Sequence, residues 1–195
     1  MTALTPLLLQ AFPAAYQAEA GQLLAYMRHS RSPSPTLEPD KLLLDGQTIR
    51  LIRRQYGLAI ARRPESLNPV QRAMFHCLHT RHHDGHVREQ HFAALLAPGQ
   101  PAFVTPFAAQ LLGEYVLPIQ EQVCTFFRHN RAILVAFLAE NPAYWHKQQN
   151  RIRSYWHCYH RHQYPDWPSY PINRLAQEIN AEVKQHRRLA SGSLS

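Results

Sequence analysis

Between Asp84 and Val123 the chain carries two apolar runs at helical spacing, parted by a Pro/Gly break, and no other stretch limits the possible fold as much. In the first run Val87, Phe92, Leu95 and Leu96 share roughly one helical face, which predicts Arg88, Glu89 and Gln90 on the opposite one. Asp84 stands where an N-cap would, its carboxylate placed to accept from a free amide and to face the positive end of the helix dipole. Pro98 to Pro101 ends that helix, and Phe103 to Leu112 is apolar enough to belong in a core.

Further helices follow from caps and periodicity. Asn68-Pro69 pairs a capping side chain with a first-turn proline ahead of Val70, Met74, Phe75 and Leu78, and Asn141-Pro142 repeats the arrangement ahead of Trp145, Ile152, Tyr155, Trp156 and Tyr159. Ile119 to Glu140 gives one long stripe, and Leu175, Ile179 and Val183 mark a last helix over about 172–186. Sustained strand alternation is absent. Asp45-Gly46 would suit a hairpin within 42–52, but Ile49, Ile52, Tyr56 and Ile60 step at helical intervals, so a helix from Gln47 is favoured. The expected fold is all-α, a compact array of antiparallel helix pairs or an irregular bundle. It forms one domain over 1–195, with a Pro/Ser-rich loop at 30–40 and a disordered tail at 189–195.

The pattern Asp84, Val87, Arg88, Phe92 and Leu95 resembles the second helix of a HEAT-type repeat. Pro106-Phe107, Leu111-Leu112 and Gly113 to Gln120 resemble the bacterial form of that motif about one repeat later, with Val87 and Ile119 equivalent. Gln120 stands where the family usually has Arg, and His91 where it usually has a small residue. The likeness covers about a fifth of the chain. It implies a surface that binds other macromolecules.

Lys plus Arg outnumber Asp plus Glu by 21 to 13, which favours acidic partners. Three widely spaced cysteines, Cys77, Cys124 and Cys158, suit reduced thiols rather than a disulfide framework. The N-terminus lacks the basic region of a secretory signal and no stretch is long enough to span a bilayer, so the cytoplasm is the expected location.

Six histidines, His76, His79, His82, His83, His86 and His91, fall within sixteen residues, and His79 with His83 or His82 with His86 have the spacing of two metal ligands on one helix. Further donors are distant, and neither His-Glu-x-x-His nor paired Cys-x-x-Cys is present, so solvated or core histidines are the simpler expectation. His83-Asp84 resembles the central dyad of HD-type phosphohydrolases, but the remaining ligands of that family have only His29 and Asp166 to fill them. There is no Gly-x-Ser-x-Gly and no Gly-rich phosphate loop. No cofactor is expected.

Two basic stretches remain. Arg50, Arg53, Arg54, Arg62 and Arg63 could grip phosphates, and Lys147 to His162 alternates basic side chains with aromatic rings, as single-stranded nucleic-acid contacts do. The leading expectation is a non-catalytic scaffold or adaptor that binds a protein partner, with Arg88, Glu89, Glu114, Arg151, Trp156 and Arg161 as candidate contact residues. Nucleic-acid binding through the two basic stretches comes second, and a metal-dependent hydrolase around His76 to His91 third.

Overall fold

The computed structural model describes residues 4–27, 38–56 and 66–192. Among them the regular structure is nine α-helices, three short 3-10 or π turns and a single two-stranded sheet, which places the chain in the all-α class. Contacts divide the chain into two compact units, Met1–Phe107 and Ala108–Ser195.

The first unit holds α1 (Leu4–Leu9), α2 (Gln17–Tyr26), strands β1 (Asp40–Leu44) and β2 (Gln47–Leu51), α3 (Pro69–His79) and α4 (Gly85–Ala93). A capping box starts α3: the Asn68 side chain accepts from the Gln71 amide at 2.8 Å, and Gln71 accepts from the Asn68 amide at 3.3 Å, with Pro69 next in line. Met74, Phe75, Cys77 and Leu78 are then buried as α3 packs on α2 and α4. Each large apolar side chain so enclosed contributes roughly 1.5–3 kcal/mol. Asp84 caps α4 as expected, accepting from the His86 amide at 2.9 Å, and that bond holds its carboxyl below the usual range.

The favoured helix from Gln47 is not what forms. Residues 40–51 make an antiparallel hairpin with Asp40 opposite Leu51 and Leu44 opposite Gln47. Its two turn residues, Asp45 and Gly46, have φ of 51° and 75°. Two successive left-handed residues match the twist of paired strands and cannot continue a right-handed helix, so the turn decides against the weaker 3.6-residue spacing. Leu42 and Leu44 on one strand and Ile49 and Leu51 on the other point into the core. The Arg50 amide donates to the Gln10 carbonyl at 2.7 Å, tying β2 to the end of α1. Residues 28–37 and 57–65 lie outside the described ones, and with them most of the expected loop at 30–40, Ile60, Arg62 and Arg63.

The division between units falls within α5 (Val104–Leu111). The second unit continues with α6 (Leu117–His129), α7 (Arg131–Glu140), α8 (Pro142–Tyr155) and α9 (Pro171–Gly192). The single stripe expected over 119–140 breaks at Asn130, whose side-chain amide donates to the Phe126 carbonyl at 2.9 Å and closes α6. Asn141 does the same for α7, donating to the Phe137 carbonyl at 2.8 Å, so its side chain ends one helix while Pro142 opens the next. Ile119, Val123, Phe127, Leu134, Leu138, Ile152, Ile179 and Val183 are enclosed as α7 packs on α8 and α9, and α6 on α9. Leu189–Gly192, expected in a tail, are the last residues of α9. Among the described residues no helix is long and apolar enough to cross a membrane.

Candidate macromolecule-binding face

On α8, Lys147, Arg151 and Tyr155 follow one another four residues apart and so share a stripe of the helix. The next position on that stripe, Tyr159, lies in a π turn, Trp156–His160, that continues α8. A wider turn slows the rotation of side chains around the axis and keeps Tyr159 beside Tyr155, with ring centroids 5.9 Å apart. Tyr115, in the connection between α5 and α6, meets both rings, at 5.6 Å from Tyr155 and 5.3 Å from Tyr159. Tyr115 is 40 % and Tyr159 59 % exposed while Tyr155 is half-buried, so the triad meets solvent through its two outer rings. The Arg151 guanidinium lies 5.7 Å over the Tyr155 ring, and the Lys147 ammonium 5.5 Å over that of Tyr144.

A buried polar layer supports the π turn. Gln120, 3 % exposed, donates through its side-chain amide to the Glu114 carbonyl at 2.7 Å and to the Tyr170 hydroxyl. His160 lies against it and stacks on Tyr170, with centroids 5.4 Å apart. Burial lowers the His160 pKa and raises that of Tyr170, so both stay neutral and stiffen the turn without charge. Trp156 anchors the other side, its indole donating to the Tyr164 carbonyl at 2.8 Å while its ring packs on Trp167.

The candidate contact residues fall into two groups. Arg151 and Trp156 are half-buried beside the triad, Arg161 is exposed just beyond the π turn, and Glu89 is half-buried on α4. Arg88 and Glu114 are corrections. Arg88 has 0 % exposure and donates through one guanidinium nitrogen to the His82 and His83 carbonyls at 3.0 and 2.8 Å. Glu114 is 3 % exposed, and its carboxylate accepts from the Tyr115 amide at 3.0 Å. Neither side chain is at the surface where it was expected, because a charge at that depth has to be matched by partners within the fold. Tyr115 was the residue missed, and its only signal is an aromatic side chain between one helix end and the Leu117-Pro118 start of the next.

Of the arginine cluster, Arg62 and Arg63 lie outside the described residues, and Arg50, Arg53 and Arg54 do not sit on a helix. Arg50 is exposed on β2, whereas Arg53 is held by Asp40 at 2.9 Å and Arg54 donates to the His82 carbonyl at 3.3 Å. Two of its cations are therefore engaged within the fold.

The histidines divide between core and surface. His79 donates through Nδ1–H to the Phe75 carbonyl at 2.8 Å, and its ring stacks on His91, with centroids 4.3 Å apart. His76 and His91 share a hydrogen bond between Nδ1 atoms at 2.9 Å, which requires one to donate and the other to accept. Among the described residues no group of three His, Cys, Asp or Glu side chains comes together to hold a metal ion. Burial first, then the neighbouring His79, His76 and His82, bring the His91 pKa down to about 3, and burial with Arg72 lowers that of His76. The unfolded chain therefore binds more protons than the folded one between pH 6.5 and about 3. The stability contributed by keeping these two rings neutral is complete above pH 6.5 and is lost as the pH falls through that window. A urea midpoint measured from pH 7 to 4 should fall less steeply in His91→Phe, which keeps the stacking and removes the titration. Identical slopes would contradict it.

No protein-family model matches the chain, and no similar curated protein or solved structure was found.

Proposed function

We propose that this chain is a non-catalytic binding module that docks another protein through the Tyr115, Tyr155 and Tyr159 triad and the adjoining Arg151 of its C-terminal unit. The observation that carries it is the triad itself: three tyrosines held against one another at the surface by a buried, uncharged support. Tyr and Arg are the side chains that most often dominate protein interfaces, and rings already fixed in place lose little entropy on binding. The HEAT-type resemblance of the Asp84 and Pro106 segments points the same way, since such arrays are mostly binding surfaces. Single-stranded nucleic acid is less well served. Bases stack on open ring faces, whereas here the rings contact each other and Arg151 covers Tyr155.

A photo-crosslinking phenylalanine analogue placed at Tyr159, in cells of the organism of origin, tests this. A protein adduct is expected from position 159 and not from Arg188, and Arg151→Ala should reduce its yield at least tenfold. An adduct to nucleic acid, no adduct, or equal yields from the two positions would overturn the proposal.

A further inference from the structure

Resting on the docking role of the tyrosine triad, we infer that the partner presents an acidic segment, with carboxylates that meet Lys147 and Arg151 while an apolar or aromatic side chain seats against Tyr115 and Tyr159. From Asn141 to Pro165 the chain has Lys147, Arg151, Arg153 and Arg161 and not one Asp or Glu. The carboxylates that bracket the segment in sequence are Glu140 and Asp166. Glu114, next to Tyr115, is buried and turned onto a backbone amide, so it offers little opposing charge to a docking partner. The face is thus cationic along one stripe and aromatic at its end.

The geometry favours a carboxylate. Arg151 rests over a ring that holds the guanidinium plane in place, and a guanidinium fixed in this way keeps its edge donors available for a bidentate carboxylate contact. His160 is buried and its pKa lowered, so it adds no charge to the face at neutral pH. Attraction between such half-exposed charges and a partner's carboxylates is long-ranged and screened by salt, whereas the ring contacts are not.

Three probes decide the matter with the full-length chain: a fluorescein-labelled peptide of three Glu-Tyr-Asp-Leu repeats, its Gln-Tyr-Asn-Leu counterpart, and a labelled thymidine dodecanucleotide. In anisotropy titrations the acidic peptide is expected to bind at least tenfold more tightly than the neutral one at about 50 mM salt, and to lose most of that advantage by about 300 mM. Arg151→Glu should weaken the acidic peptide at least tenfold, Tyr159→Ala should weaken both peptides, and Arg188→Glu should change neither. Equal binding of the two peptides, sensitive to Tyr159→Ala, would overturn the acidic partner and leave the docking face standing. Tighter binding of the oligonucleotide at equal charge, or a response to Arg188→Glu as large as that to Arg151→Glu, would also overturn the inference. Failure of both peptides would overturn it as well, and together with the absence of a crosslink from position 159 would remove the docking role too.

Discussion

Arg88→Met is expected to lower the unfolding free energy by about 2–4 kcal/mol, a large share of what a domain of this size has to lose. The side chain is fully enclosed, and one of its nitrogens serves the His82 and His83 carbonyls together. Those carbonyls belong to the segment that joins α3 to α4. The same segment pairs with the chain after the hairpin, since the Gln55 amide donates to the Arg81 carbonyl at 2.7 Å and the His83 amide to the Gln55 carbonyl at 2.9 Å. Methionine fills much of the same volume but donates nothing, so the His82 and His83 carbonyls lose their Arg88 bonds, the first of them buried and the second part-buried. Arg54 also donates to the His82 carbonyl, which keeps the loss below the sum of two broken bonds. Lysine keeps the charge without the planar fork and should recover less than half. Urea unfolding with an unchanged slope provides the measurement. A Met variant within 0.5 kcal/mol of the parent would show that the clamp does not hold this segment.

The same arginine shows where the sequence could be read and where it could not. The expected inner face was that of Val87, Phe92, Leu95 and Leu96 with Arg88 opposite, whereas Arg88, four residues before Phe92 and seven before Leu95, is buried on the same stripe as those two. Its charge argued for the surface, and nothing in a linear sequence reveals two backbone carbonyls waiting at the end of a guanidinium. Caps were legible because they are local: Asn68 with Gln71, and Asp84 with His86, satisfy amides within three residues. The hairpin was legible in Asp45-Gly46 and was outweighed by the helical spacing of Ile49, Ile52, Tyr56 and Ile60, a spacing that the turn geometry overrides at Ile49 on β2. The proposed docking face was half legible. Lys147, Arg151, Tyr155 and Tyr159 are evenly spaced, but the π turn that keeps the last of them in line and the arrival of Tyr115 from another connection depend on the packed unit.

Gly113→Val should cost about 3 kcal/mol or more and weaken the proposed docking at the same time. A Cβ at this position would lie 2.6 Å from Gln148 Oε1 and 3.0 Å from Arg151 Cβ. Neither neighbour gives way easily. Gln148 is fully buried and donates to Gln110 at 3.0 Å, an acceptor it shares with the Tyr144 hydroxyl at 2.8 Å. Arg151 Cβ is fixed to the backbone of α8, so relief there means moving the helix. Overpacking of this kind costs about 1–3 kcal/mol for one added methyl, which sets the expectation for Gly113→Ala, and a branched side chain adds to it. Because Arg151 carries the guanidinium that lies over Tyr155, displacement of α8 would disturb the triad too. Shortening the obstacle separates crowding from any backbone effect. Gln148→Ala removes the nearest atom, so Gly113→Ala should be less costly on that background than on the parent, with a favourable coupling of roughly 0.5–3 kcal/mol in a double-mutant cycle. Strict additivity would mean that the glycine is needed for something other than the close approach of α8, and docking should then survive in Gly113→Ala undiminished.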